Sequence, residues 1–238
     1  MTHPAGLPNT PATIMEERPR ASFRLYVITD RRLLRRGETL GSAVADVLAA
    51  VPAGTAAIQL REKDLGDREL LAAAEDLREV TEDFGALLFV NGRADVATAV
   101  GADGVHLGFD APPLAAVRRS FPTLQVGVSC HTLGDLEAAA AEDATFATFS
   151  PVFTTSKISF RRGPGGDLEP LPPHGVDGLT DAARRSRIPL VALGGVRRDS
   201  VRFVREADVL SAACISAVFG AMDRGDAARA LVHALSAQ

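Results

Sequence analysis

The sequence predicts an α/β protein, a single-domain (β/α)8 TIM barrel, and three observations carry that expectation. From Phe23 onward, short β-branched or apolar runs alternate with stretches rich in Ala, Leu, Glu and Arg, the texture of buried parallel strands alternating with helices. The alternation repeats eight times with no strand left over, the number that closes a barrel. The first strand runs into Asp30-Arg31-Arg32 rather than a G-x-G-x-x-G turn, which an open doubly wound sheet would more often carry there.

The strands are read in order as Leu25–Thr29, Ala57–Leu60, Leu87–Val90, Gly104–His106, Gln125–Ser129, Thr145–Phe149, Leu190–Leu193 and Val209–Ile215. Each is a short apolar run bounded by Gly, Asp or Asn. A helix is expected after each, at Gly41–Ala50, Asp67–Thr81, Ala94–Val100, Pro113–Ser120, Leu133–Ala141, Gly178–Ser186, Asp199–Arg205 and Asp226–Ser236. Several open on an acidic residue or near Ser/Thr, as helix N-termini prefer. Residues 1–21 hold Pro4, Pro8, Pro11 and Pro19 with little periodicity and read as a mobile extension ahead of a barrel over 22–238. After Pro151, about 25 residues pass before the next helical pattern, far more than a usual βα connection. That loop contains Lys157, Arg161, Arg162, Gly163, Gly165 and Gly166, and it reads either as a lid over the site, centred on 156–174, or as a tolerated insertion.

The bulk composition excludes several classes. The 238 residues are 46% hydrophobic and 24% charged, with a net charge of −4, ordinary for a globular protein and lacking the positive field that recruits nucleic acid or anionic membranes. No apolar run reaches transmembrane length, and the N-terminus lacks the order of a secretion signal, so a cytoplasmic protein is expected. The two cysteines, Cys130 and Cys214, lie in apolar stretches and read as buried thiols rather than a disulfide framework. Homo-oligomerisation stays open, since exposed helix faces and interfaces look alike in a sequence.

In a barrel the C-terminal ends of the strands form the active-site mouth. Gln59, near the end of the second strand, and Arg61 and Lys63 after it alternate onto one side, where two cations suit an anionic substrate. Asn91 ends the third strand as a neutral donor and acceptor, although Asn-Gly is also a common turn. The fourth strand brings His106, either packed structurally or turned into the barrel, with Asp110 beyond it. The fifth ends in Ser129-Cys130-His131-Thr132. His131 suits proton transfer near neutral pH, while Ser129 or Thr132 can instead cap the next helix. The sixth leads into Thr154, Thr155 and Lys157, hydroxyls and a cation suited to phosphate. The strongest signal is Gly194-Gly195 after the seventh strand with Ile215-Ser216 after the eighth, because adjacent loops there with a short helical turn form the recurrent barrel phosphate site. A tight turn with a buried strand end is the plainer alternative.

In order, these segments resemble the thiamine phosphate synthase/TenI superfamily. The matching pieces are Tyr26-Val27-Ile28-Thr29-Asp30, Gln59-Leu60-Arg61-Glu62-Lys63, Asn91-Gly92-Arg93-Ala94-Asp95-Val96-Ala97, Gly104-Val105-His106-Leu107-Gly108, Gly127-Val128-Ser129-Cys130-His131-Thr132, Ser150-Pro151-Val152-Phe153, Ala192-Leu193-Gly194-Gly195-Val196 and Ser216-Ala217-Val218-Phe219. The resemblance implies a barrel binding a small phosphorylated thiazole, with phosphate on the backbone of Gly194, Gly195, Ile215 and Ser216. Synthases of this group join a pyrimidine diphosphate to thiazole phosphate with magnesium. TenI-type relatives move a proton on a carboxythiazole phosphate and need no metal.

The chain departs from the synthase pattern in three places. Gly92 stands where synthases carry a magnesium-binding Asp, Phe109 stands for a Gln with Asp110 one position early, and the hydroxyl run is shortened to Thr154-Thr155-Ser156-Lys157. Losing a carboxylate weakens the grip on magnesium, whereas His131 matches the TenI-type catalytic histidine. The resemblance therefore implies a TenI-type thiazole tautomerase, with His131 and Ser129 catalytic, Arg61, Lys63, Asn91, His106, Thr154, Thr155 and Lys157 binding substrate, and no cofactor. The alternatives are a synthase with magnesium on Asp110, or a non-catalytic binder of thiamine phosphate or thiazole phosphate.

Overall fold

A computed structural model describes residues 22–108, 110–155, 160–162 and 167–237. The expected extension over 1–21, together with Phe109 and Lys157, lies outside the described residues.

Eight parallel strands close a barrel: β1 (Leu25–Ile28), β2 (Ala56–Leu60), β3 (Leu87–Asn91), β4 (Gly104–Leu107), β5 (Gln125–Cys130), β6 (Phe146–Phe149), β9 (Leu190–Leu193) and β10 (Ser211–Cys214). Closure is made at β1, whose Leu25 pairs with Ala56 of β2 on one side and Ala212 of β10 on the other. Outside the strands lie α1 (Leu40–Leu48), α2 (Asp67–Asp83), α3 (Ala94–Ala99), α4 (Leu114–Ser120), α5 (Leu133–Ala141), α6 (Gly175–Arg185), α7 (Val201–Glu206) and α9 (Arg224–Ser236). A four-residue helix, α8 (Ser216–Phe219), follows β10.

Strand alternation builds two cores. Residues such as Leu25, Val27, Ile58, Leu88 and Val105 face outward and are sealed by the helices. Phe23, Tyr26, Ile28, Phe89 and Phe146 face inward, and four of their rings form a box beneath the mouth, with Tyr26 5.6 Å from Phe89 and 5.5 Å from Phe146 in edge-on contact. The aromatic floor makes the lower barrel a packed core rather than a channel.

Three expectations are corrected. The chain does carry strands beyond the eight, the antiparallel pair β7 (Phe160–Arg162) and β8 (Leu168–Pro170), inside the long loop read as a lid or an insertion. Three residues per strand are too few to show a period in sequence. The last barrel strand is shorter than Val209–Ile215, because Ile215 leaves the sheet to cap α8. Helix α6 begins at Gly175 rather than Gly178, since His174 and Gly175 are tied by their N–H groups to the carbonyls of Pro151 and Val152 at 2.9 Å each.

Candidate functional site

The floor of the mouth is a chain of polar side chains across the barrel. Gln59 Nε2 donates to the Tyr26 hydroxyl at 3.1 Å. That hydroxyl lies 3.4 Å from His106 Nδ1, and His106 Nε2 lies 3.0 Å from Ser129 Oγ. Gln59, Tyr26 and His106 are all buried. Burial first, and the nearby positive charge of Arg61 second, push the His106 imidazole down to about 3. His106 is therefore neutral at any working pH, and can orient a ligand but not carry protons. Burial likewise raises the Tyr26 phenol above its usual range, so the floor carries no charge.

Ser129 spends its hydroxyl on this chain, and the cap of α5 falls to Thr132, whose Oγ1 accepts from the Asp135 N–H at 3.1 Å. Two neighbouring hydroxyls thus divide the two roles that the sequence left open. His131, between them, turns back over the mouth. Its Nδ1 lies 2.7 Å from the Ser150 carbonyl oxygen and 3.2 Å from Ser150 Oγ. A carbonyl only accepts, so Nδ1 carries a proton toward it. Nε2 makes no hydrogen bond among the described residues.

The cations form a rim. Arg61 is half-buried at the end of β2, and its N–H is fixed by Thr29 Oγ1 at 3.0 Å. Lys63 is exposed and reaches across to Asp110 at 3.7 Å, so the loops after β2 and β4 meet through one weak ion pair. Glu62, between the two cations, is buried and points away: both its oxygens accept from the Arg31 N–H at 3.1 Å. Sequence reasoning missed this latch between the loops after β1 and β2, although an acidic residue flanked by two site cations was its visible trace.

Asn91 is half-buried at the end of β3. Gly92 has a φ of +71°, and a Cβ there would meet nothing within 4 Å. Arg93 is held by Asp67 at 2.5 Å and Asp95 at 2.7 Å, which leaves it bracing α2 to α3 rather than facing the mouth. Thr154 is exposed and Thr155 half-buried after β6.

Gly194 and Gly195, at φ of +96° and +66°, turn the chain sharply after β9. A Cβ on Gly194 would sit 2.8 Å from Pro151 Cα, and one on Gly195 would sit 2.6 Å from the Thr154 carbonyl oxygen. The turn and the 151–154 segment are therefore in direct contact, joined by the N–H groups of Val152 and Phe153 donating to Leu193 and Gly194 carbonyls at 2.8 and 2.9 Å. The N–H groups of Gly194, Gly195, Ile215 and Ser216 donate to no backbone carbonyl among the described residues. Four unspent donors at the ends of two adjacent strands suit a bound anion.

Residues 25–218 match the family described as thiamine monophosphate synthase. The chain is 39% identical over 217 residues to the thiamine-phosphate synthase of Methanoculleus marisnigri, covering 90% of this chain and 96% of that one. It is 37% identical over 209 residues to the thiamine-phosphate synthase of Chloroflexus aurantiacus, covering 88% and 91% respectively. Among solved structures, a thiamine phosphate pyrophosphorylase from Pyrococcus furiosus is similar, at 33% identity and a TM-score of 0.78, covering 91% of this chain and 96% of that one.

Proposed function

Because the chain belongs to the thiamine monophosphate synthase family, we propose that it is a thiamine-biosynthesis enzyme working as a synthase: it joins a pyrimidine diphosphate to a thiazole phosphate and releases pyrophosphate. The synthase, first given as the alternative, is preferred over the TenI-type tautomerase because the relatives named above are synthases and a pyrophosphorylase. The observation that carries the proposal is the set of unspent N–H groups at Gly194, Gly195, Ile215 and Ser216, which would take the thiazole phosphate. Arg61 and Lys63 at the end of β2 would take the diphosphate. The neutral floor of Gln59, Tyr26, His106 and Ser129 would orient an uncharged heterocycle.

Magnesium fits this chain through a single carboxylate. Glu62 is committed to the Arg31 backbone and Asp64 to the Arg31 guanidinium at 2.8 Å. Among the described residues no three His, Cys, Asp or Glu side chains gather around a metal position. Magnesium is commonly held by one or two carboxylates with substrate phosphates and water filling the rest, and exposed Asp110 meets the lower of those requirements. When bound there, the ion would offset charge on the departing diphosphate. The chain's own share is to present Asp110, release Lys63 from it to the incoming anion, and hold the thiazole phosphate on the opposite side.

One observation favours a second reading. His131 donates from Nδ1 to the Ser150 carbonyl and leaves Nε2 without a hydrogen bond among the described residues, free to meet a substrate proton, and Gly92 supplies no second carboxylate. A proton shift on a carboxythiazole phosphate needs only those features. Parallel incubations decide between the readings. Pyrophosphate released from the two synthase substrates, dependent on magnesium, is the expected result. Isomerisation of the carboxythiazole without pyrophosphate release would replace the synthase with the tautomerase.

A further inference from the structure

One buried arginine holds the loop after β1 to the segment after α8. Arg224 opens α9, yet only 3% of it is exposed. Each of its three guanidinium nitrogens has a partner: Nε donates to the Phe219 carbonyl at 2.8 Å, Nη2 donates to the Leu33 carbonyl at 3.1 Å, and Nη1 pairs with Glu38. The guanidinium also lies 5.3 Å from the centre of the Phe219 ring. Glu38 is fixed in turn by the Arg35 N–H at 2.7 Å, and the Arg35 side chain reaches the Ala221 and Met222 carbonyls. Leu33 packs against the same segment, since a Cβ on Gly220 would lie 3.7 Å from Leu33 Cδ1.

Phe219 is the last residue of α8, and Ile215 and Ser216 lead into that helix from β10. Four residues make a single turn, too short to hold its own place in water. Within it, the Phe219 and Gly220 N–H groups donate back to the Ile215 and Ser216 carbonyls at 2.8 and 3.1 Å. The turn therefore moves as one piece, and whatever fixes its last carbonyl fixes the direction of its first N–H groups. We propose that Arg224 is a positioning residue for anion binding: its planar fork bolts the end of α8 to Leu33 and Glu38 of the β1 loop and so aims the Ile215 and Ser216 N–H groups at a bound phosphate. A lysine cannot reproduce that fork, because its ammonium is a point charge on a flexible stem. The β1 loop is also tied on its other side. Arg31, two residues before Leu33, gives its N–H to both oxygens of Glu62 at 3.1 Å, and Glu62 stands between Arg61 and Lys63. One line of contacts thus runs from the base of the rim cations to the turn assigned to phosphate.

The inference rests on the reading that phosphate sits on the Ile215 and Ser216 N–H groups, and the test separates the two. Arg224→Lys keeps a positive charge beside Glu38 without the planar fork, and Arg224→Leu removes both. Arg78→Leu is the control: it cuts another largely buried arginine, bonded at 2.8 Å to Asp103 just before β4, at the opposite end of the barrel. In the full chain, backbone amide NMR during titration with inorganic phosphate follows residues 194, 195, 215 and 216, and initial rates give kcat and KM for thiazole phosphate. In the parent chain those amides should move as phosphate binds. Both Arg224 variants should bind phosphate about tenfold more weakly, the loss expected when one hydrogen bond to a charged group is misplaced. KM for thiazole phosphate should rise by the same factor while kcat at saturation holds, since ground state and transition state lose the same contact. Arg78→Leu should bind phosphate like the parent. Parental phosphate affinity in the folded Arg224→Lys protein overturns the proposal, and so does an equal loss in Arg78→Leu, which would trace the effect to stability alone. If the four amides of the parent chain ignore phosphate, the phosphate reading itself falls, and the proposal with it.

Discussion

Substituting Gly195 by Ala tests the anion-binding turn most directly. At φ +66° an L-residue carries a penalty of about 1–2 kcal/mol. The added methyl would lie 2.6 Å from Thr154 O and 2.8 Å from Phe153 Cβ, so the turn and the 151–154 segment must move apart. In a protein of this length each 1 kcal/mol lowers the melting temperature by about 2–4 °C, so the conformational penalty alone predicts a drop of about 2–8 °C. The larger effect is on the ligand. A hydrogen bond to a charged group contributes about 1.5–3 kcal/mol, and each 1.4 kcal/mol is about tenfold in affinity. Displacing one amide from a bound phosphate should weaken it by about ten- to a hundredfold. Calorimetric titration with thiazole phosphate beside a melting curve measures both. If the variant melts lower as predicted but binds thiazole phosphate as tightly as the parent, the turn is structural and the anion sits elsewhere.

Three further outcomes follow from the same geometry. Tyr26→Phe strips the hydroxyl that joins Gln59 to His106 and should cost about 1–3 kcal/mol in urea unfolding, because two buried polar groups lose their partner. Arg224 is buried beside Glu38 and also donates to the Phe219 and Leu33 carbonyls, so Arg224→Leu should cost about 1–3 kcal/mol, mostly from those two carbonyls losing their donor, while Glu38 keeps the Arg35 N–H. His106 binds its proton only near pH 3 when folded but near pH 6.5 when unfolded. The unfolded chain therefore holds more protons between those values, and stability should fall as pH drops from about 6.5 toward 3, by up to about 1.4 kcal/mol per unit from this group. His106→Gln should flatten that slope, and an equally steep slope in the variant would assign it to other groups.

The barrel was legible because each strand is buried on both faces and so appears as a short apolar run, and because the count closed at eight. The mouth was legible where polar residues sit at strand ends: Arg61, Asn91, His131 and the Gly194-Gly195 pair all lie where the strand-end rule puts them. Tyr26 was quoted only as part of a motif, since an aromatic residue inside a strand reads as packing and its hydroxyl bond to residue 106 spans 80 positions. Arg224 was invisible for a different reason. It sits at no strand end, and nothing local in Asp223-Arg224-Gly225-Asp226 announces its partners at residues 33 and 38. The β7–β8 pair was missed because its strands are shorter than any period.

The two histidines of the mouth show how position decides chemistry here. His106 points into the barrel from the middle of a strand, is shut in by Tyr26 and Phe146, and is driven neutral; its two nitrogens are spent on Tyr26 and Ser129. His131 lies just past its strand, spends one nitrogen on Ser150 and keeps the other open. A fixed neutral floor gives an uncharged heterocycle one orientation, since any misfit leaves buried donors or acceptors unpaired. Lys63, in solvent and paired only loosely with Asp110, can rearrange at small cost when an anion arrives. On the proposed function, the heterocycle is selected by side chains that cannot move, while the diphosphate meets a lysine that can.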